Sequence, residues 1–185
     1  RQALEALGEA GPYILAPHSM SGLEAIRWKQ KYPDDVSAIV GIDMATPLSF
    51  SVWTEEDIKK TVRLMQVIRI LKLANILSSV SNLSLTEDEF KQHILLKKRN
   101  AFNTCCINEA KEVLNNARVV GKDGNIQCPT LLFSSNGEDQ ERDWTLNQQK
   151  FAKIMGAKLI SYDCGHYLHH FKSDEMCKEI IEFVN

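Results

Sequence analysis

The sequence predicts an α/β fold: a mostly parallel sheet flanked by helices, with an all-helical insertion. Three observations predict it. Short apolar runs at residues 13–16, 36–42 and 129–135 read as strands. A helical pattern joins the first two, and strand–helix–strand alternation is the signature of a parallel sheet. From residue 54 to residue 116 the pattern is helical, with no convincing strand.

Each element has its own reason. Residues 1–10 read as the end of a helix, with Ala3, Leu4, Leu7 and Ala10 at helical spacing and Gly8 and Gly11 as stops. The run 13–16 is continuously apolar, as expected of a parallel strand buried on both faces. A helix over 20–32 carries Leu23, Ile26 and Trp28 and is stopped by Pro33. Strand 36–42 is apolar and β-branched, and a loop over 43–47 ends it. Thr54-Glu55-Glu56-Asp57 and Thr86-Glu87-Asp88-Glu89 read as helix starts, each a capping residue followed by acids. Ile58, Val62, Leu64, Met65, Ile68, Leu71, Leu73, Ile76 and Leu77 give one apolar helical segment. Such a segment packs into a core or walls an apolar pocket. Residues 121–125 form a turn cluster that returns the chain to the sheet at Ile126. After strand 129–135 come a helix over about 143–155, a strand from Lys158, and a last helix over 173–184. That helix carries Met176, Ile180, Ile181 and Phe183 as its apolar positions.

Composition excludes several function classes. A length of 185 residues suits one domain. The formal charge of -2, with no basic stripe, argues against nucleic acid as a partner. Lys97, Lys98 and Arg99 read as a solvated helix face. No apolar stretch is long enough to span a membrane. Five cysteines without regular spacing suggest reduced thiols and a cytoplasmic protein rather than a disulfide framework. No glycine-rich phosphate loop is present, so no nucleotide cofactor is expected. His166, His169 and His170 lack a supporting Cys/His pair at ligand spacing, so no metal is expected. His169 and His170 read as the start of the last helix, and His18 as structural.

The informative chemistry sits at strand ends. The first apolar run gives way to Pro17-His18-Ser19-Met20-Ser21, and a helical pattern follows at once. This is the form of a nucleophile elbow, a sharp strand-to-helix turn that exposes a serine hydroxyl above a sheet. Pro17 and Ser21 stand where the usual motif has two glycines. A serine nucleophile needs a base, and the base needs an orienting acid. Glu138 and Asp139 follow strand 129–135, and Gly165-His166 follows the strand that begins at Lys158. Asp43, after strand 36–42, is a competing acid. All lie beyond the carboxyl ends of strands, where open α/β sheets bind ligands.

On the His18-Ser19-Met20 turn, the strand 129–135 with its following acid, and Gly165-His166, the chain resembles the α/β-hydrolase family over essentially its whole length. The resemblance implies Ser19 as nucleophile, His166 as general base and Asp139 as orienting acid, with Glu138 and Asp43 as alternatives. It implies the backbone N–H of Met20 as one oxyanion-hole donor. It divides the chain into a hydrolase core over 1–47 and 117–185 and a helical cap over 48–116. It also implies that the first strands of the sheet, and the loop with a second oxyanion donor, belong to an N-terminal segment outside this sequence. The expected activity is hydrolysis of an ester, thioester or related acyl bond of a small molecule, through an acyl-enzyme and without a cofactor. The alternative is a hydrolase-like protein that binds a small molecule without turnover.

Overall fold

The computed structural model describes residues 1–73, 85–138, 140 and 143–185. The apolar positions Ile76 and Leu77 and the acid Asp139 lie outside the described residues. The chain divides into two compact units, residues 1–51 with 117–185, and residues 52–116.

The first unit is built on four strands: β1 (Tyr13–Leu15), β2 (Val36–Ile42), β3 (Thr130–Ser134) and β4 (Lys158–Ser161). They lie in the order β1-β2-β3-β4, and every pairing is parallel. Parallel neighbours need long crossovers, and helices supply two of them. After α1 (Gln2–Ala6), α2 (Ser21–Lys31) links β1 to β2, and a helix over Trp144–Met155 links β3 to β4. A last helix over Ser173–Val184 follows β4.

β3 is buried at all of its positions. Leu131 and Phe133 pack with Val40, Leu168 and Met176, and Ile160, Ile180 and Phe183 close the margin of this cluster. Thus β3 is an interior strand, and its unbroken apolar run is the sequence mark of that position. β1 is different. It is an edge strand among the described residues, and Ile14 is 49% exposed. The burial on both faces that its sequence suggests is not supplied there.

Three expected boundaries move. The helix that ends the insertion runs through Lys122, so it takes in part of the expected turn cluster. Its end is tied to α2, where Arg27 pairs with Asp123 and Gln30 donates to the carbonyls of Val120 and Gly124. The chain then enters the sheet at Thr130, later than Ile126. His169 and His170 lie in a 3-10 turn over Leu168–His170, not in the last helix. Leu168 is fully buried in the core cluster, which fixes that turn ahead of the helix.

The second unit holds α3 (Glu55–Ile70), α4 (Glu87–Asn100) and most of α5 (Thr104–Lys122). Thr54 and Thr86 cap α3 and α4 through reciprocal bonds with Asp57 and Glu89, which satisfies orphan N–H groups at both helix starts. Only Ile58 and Val62 of α3 are buried, while Leu64 and Leu71 are exposed. α5 buries Ile107, Val113 and Leu114. Among the described residues no helix is long and apolar enough to cross a membrane. The two helices that close the first unit are α6 (Trp144–Met155) and α7 (Ser173–Val184).

One close approach positions everything that follows. A Cβ on Gly22 would drive into the Ala45 carbonyl oxygen and come within 2.9 Å of Met44 Cβ. Gly22 therefore lets the first turn of α2 lie against the loop after β2. Gly22→Ala is expected to lower stability by about 1–3 kcal/mol, the usual cost of overpacking, with the loop displaced. Urea unfolding measures this; an unchanged midpoint would mean that the loop yields freely.

Candidate active site

Ser19 occupies a strained turn. Its φ is 56°, in the left-handed region that a serine seldom adopts. Three local contacts hold it there. His18 forms a parallel bridge to Ile42, extending the sheet by one pairing beyond β1. The Ile42 N–H donates to the Pro17 carbonyl at 2.8 Å. The Ser21 hydroxyl donates to the His18 carbonyl at 2.7 Å and accepts from the His18 N–H at 3.0 Å. Ser21 thus closes the turn with its side chain, where the usual motif has glycine. The close approach that demands a glycine falls one residue later, at Gly22. Met20 follows Ser19 as the N-cap residue of α2.

Asp43 follows β2 with a φ of 43° and is fully buried. A buried carboxylate must be matched by donors, and this one has three. Its Oδ1 accepts from the Ser135 N–H at 3.0 Å and from the Trp144 indole N–H at 2.8 Å. Its Oδ2 accepts from His166 Nδ1 at 2.6 Å. Burial pushes the carboxyl pKa up, but the bonds from His166, Trp144 and Ser135 outweigh it and hold it below the usual carboxylate value. Its loop is pinned on every side. The Asp43 N–H donates to Phe133 O at 2.8 Å, the Ala45 N–H to Ser19 O at 2.7 Å, and Gln148 Nε2 to Met44 O at 2.7 Å.

His166 is buried beside this carboxylate, in the irregular segment after β4. A carboxylate oxygen accepts, so Nδ1 carries the proton of this bond and Nε2 is the ring nitrogen turned away from Asp43. Trp144 meets the imidazole edge-on, with ring centroids 5.8 Å apart. On another side lies His18, its ring centroid 4.5 Å away and its Nε2 3.1 Å from the His166 carbonyl oxygen. His18 also contacts Tyr167 and His169. Burial pushes the pKa values of His18 and His169 down, and neighbouring imidazoles add to that.

The sequence-level candidates therefore gather at one end of the sheet: Ser19 after β1, Asp43 after β2 and His166 after β4. The acid on the imidazole is Asp43. Sequence reasoning favoured Asp139, which lies outside the described residues, and Glu138 is exposed with its N–H donating to Asn136. Adjacency to strand β3 cannot discriminate the acids; burial and donors do. Trp144, Ser135 and the contact from His18 were missed. The only sequence signal for Trp144 was a large side chain with one N–H donor at a helix start. Among the described residues, no three His, Cys, Asp or Glu side chains are placed to hold a metal ion.

Comparison with known proteins bears on the fold. No family model matches the sequence. The chain is 23% identical to an uncharacterized protein, YbdG, of Bacillus subtilis, matching over all of this chain and 61% of that one. It therefore spans less than two thirds of the length of that relative. Among solved structures it resembles MGS-M2, an α/β hydrolase from a Medee basin deep-sea metagenome library. The TM-score is 0.65 at 20% identity, covering 99% of this chain and 68% of that one. It resembles a carboxylesterase structure from the thaumarchaeon Nitrososphaera gargenis at TM-score 0.59 and 18% identity, covering 100% and 68%. It resembles the monoacylglycerol lipase of Paleococcus ferrophilus at TM-score 0.57 and 19% identity, covering 99% and 71%.

The titrations make a signed expectation. His18 and His169 titrate below the ordinary histidine value of about 6.5, so their stabilising contribution is complete above that value and is lost as pH falls through the lower folded values. Asp43 adds a second, more acidic limb, lost below the ordinary carboxylate value of about 4. Urea midpoints are expected to fall in these two stages on acidification. Asp43→Ala, which strands three buried donors, is expected to cost about 3–5 kcal/mol at neutral pH. A variant as stable as the parent would mean that the carboxylate does not organise this site.

Proposed function

Since the chain has the α/β-hydrolase fold, we propose that it forms the catalytic part of a serine hydrolase acting on an ester, thioester or related acyl bond of a small molecule. The observation that carries this reading is a buried, ionised Asp43 fixing the tautomer of His166 at the sheet end where the strained Ser19 lies. Ser19 Oγ attacks the acyl carbonyl as His166 Nε2 takes its proton. Asp43 holds Nδ1–H and stabilises the imidazolium that forms. The Met20 N–H, at the start of α2, supplies one donor to the developing oxyanion. Water, activated by the same histidine, then releases the acyl group from Ser19 and restores the hydroxyl. None of these steps requires a cofactor.

Further parts belong to the same proposal. The helical stretch 48–116 serves as the helical cap of the hydrolase. The second oxyanion donor comes from a segment of the whole protein outside this sequence, and that segment pairs with the open edge of β1. An exposed apolar edge strand is otherwise an association hazard. None of the five cysteines forms a disulfide, which fits a cytoplasmic setting. The names of the carboxylesterase and lipase neighbours support acyl chemistry.

The test is labelling of the full-length protein with a fluorophosphonate probe, with the modified peptide mapped by mass spectrometry. Label is expected on Ser19 and absent from Ser19→Ala and His166→Ala. Asp43→Asn, which inverts the hydrogen bond to Nδ1, is expected to reduce ester turnover by on the order of 10⁴-fold. Folded protein that takes no label, yet binds small acyl compounds, would favour a non-catalytic binding protein instead.

A further inference from the structure

The structure assigns a role to His18 that its place in the motif does not announce: we propose that it is a positioning residue, which sets the His166 segment against the elbow. The inference rests on the reading of Ser19 and His166 as nucleophile and base.

His166 belongs to a stretch without regular secondary structure, between β4 and the turn at Leu168. Its place relative to Ser19 is therefore set by contacts. Asp43 fixes the ring at Nδ1. His18 holds the backbone, because its Nε2 lies 3.1 Å from the His166 carbonyl oxygen. A carbonyl only accepts, so Nε2 carries the proton and His18 is the donor. The His18 ring also lies along the His166 ring, with centroids 4.5 Å apart and planes inclined by 35°.

What makes this positioning rather than packing is where His18 is anchored. It precedes Ser19 by one peptide bond. Its own backbone is tied to β2 by the bridge to Ile42 and to α2 by both bonds with Ser21. Any movement of the elbow carries His18 with it, and His18 carries the His166 segment. Nucleophile and base thus share one rigid reference. Burial keeps His18 neutral, so it presents a single donor and no cation to the imidazolium.

The experiment uses the full-length protein and two variants. His18→Phe keeps a ring and loses the donor. His18→Gln loses the ring and keeps a side-chain N–H. The rate of Ser19 labelling, kcat and KM for a short ester, and the urea midpoint are measured for each. His18→Phe is expected to slow labelling and kcat by about 10–100-fold, the scale of a displacement of about 1 Å, with KM within about twofold. His18→Gln is expected to recover most of the rate. Wild-type labelling by His18→Phe, or a loss that follows the urea midpoint and is not recovered by Gln, would overturn the inference. The downfield Nδ1–H proton resonance of His166 is a readout independent of turnover. It is expected to shift or broaden in His18→Phe, and an unchanged resonance also overturns the inference. If the parent takes no label, the proposed function fails, and this resonance alone decides the role of His18.

Discussion

One buried charge organises this molecule. The Asp43 carboxylate is fully withdrawn from water, and an ion in that position is tolerated only when its oxygens are matched by donors. The donors come from three places. The Ser135 N–H lies just past β3, the Trp144 indole at the first turn of α6, and the His166 imidazole beyond β4. Satisfying a single carboxylate therefore fixes the ends of three strands and one helix relative to one another. The charge gives these segments a shared polar anchor, and the segments let the charge stay buried.

The elbow is held to the same point by a different means. Ser19 stores backbone strain, and strain of that kind persists only when surrounding structure over-determines it. The over-determination is visible. The Ala45 N–H binds the Ser19 carbonyl, Ser21 binds His18 at both ends of its peptide frame, and Gly22 admits the Asp43 loop against α2. The absence of the two motif glycines is thus compensated in two ways. Ser21 supplies hydrogen bonds that glycine cannot, and Gly22 supplies the close approach. A motif read by fixed spacing misses such a redistribution, because steric demand belongs to a point in space and not to a position in a string.

The acid shows the same limit from the other side. Strand ends at the carboxyl edge of a parallel sheet are near one another by topology, so several carboxylates qualify from sequence alone. Asp43 and Glu138 both follow strands, but Asp43 is buried among donors and Glu138 is exposed. That difference is a property of the packed end of the sheet. The helical unit teaches a related lesson. Its caps at Thr54 and Thr86 were legible, because capping is local. The fate of its apolar side chains was not, because Ile58 is buried and Leu64 exposed on one and the same helix.

The sequence by itself determined the α/β class, the strands at β1, β2, β3 and β4, the helix starts at Thr54 and Thr86, and a serine and a histidine at strand ends. These follow from periodicity, β-branching and turn residues, which act over a few residues. The tertiary structure decided which carboxylate meets the histidine, that Trp144 and Ser135 steady it, that His18 reaches across to His166, and that β1 stands at the edge. Those outcomes depend on groups 92 to 148 residues apart in the chain, as for Ser135 with Asp43 and His18 with His166. No local pattern encodes such pairings; they exist only once burial has made each polar group find a partner.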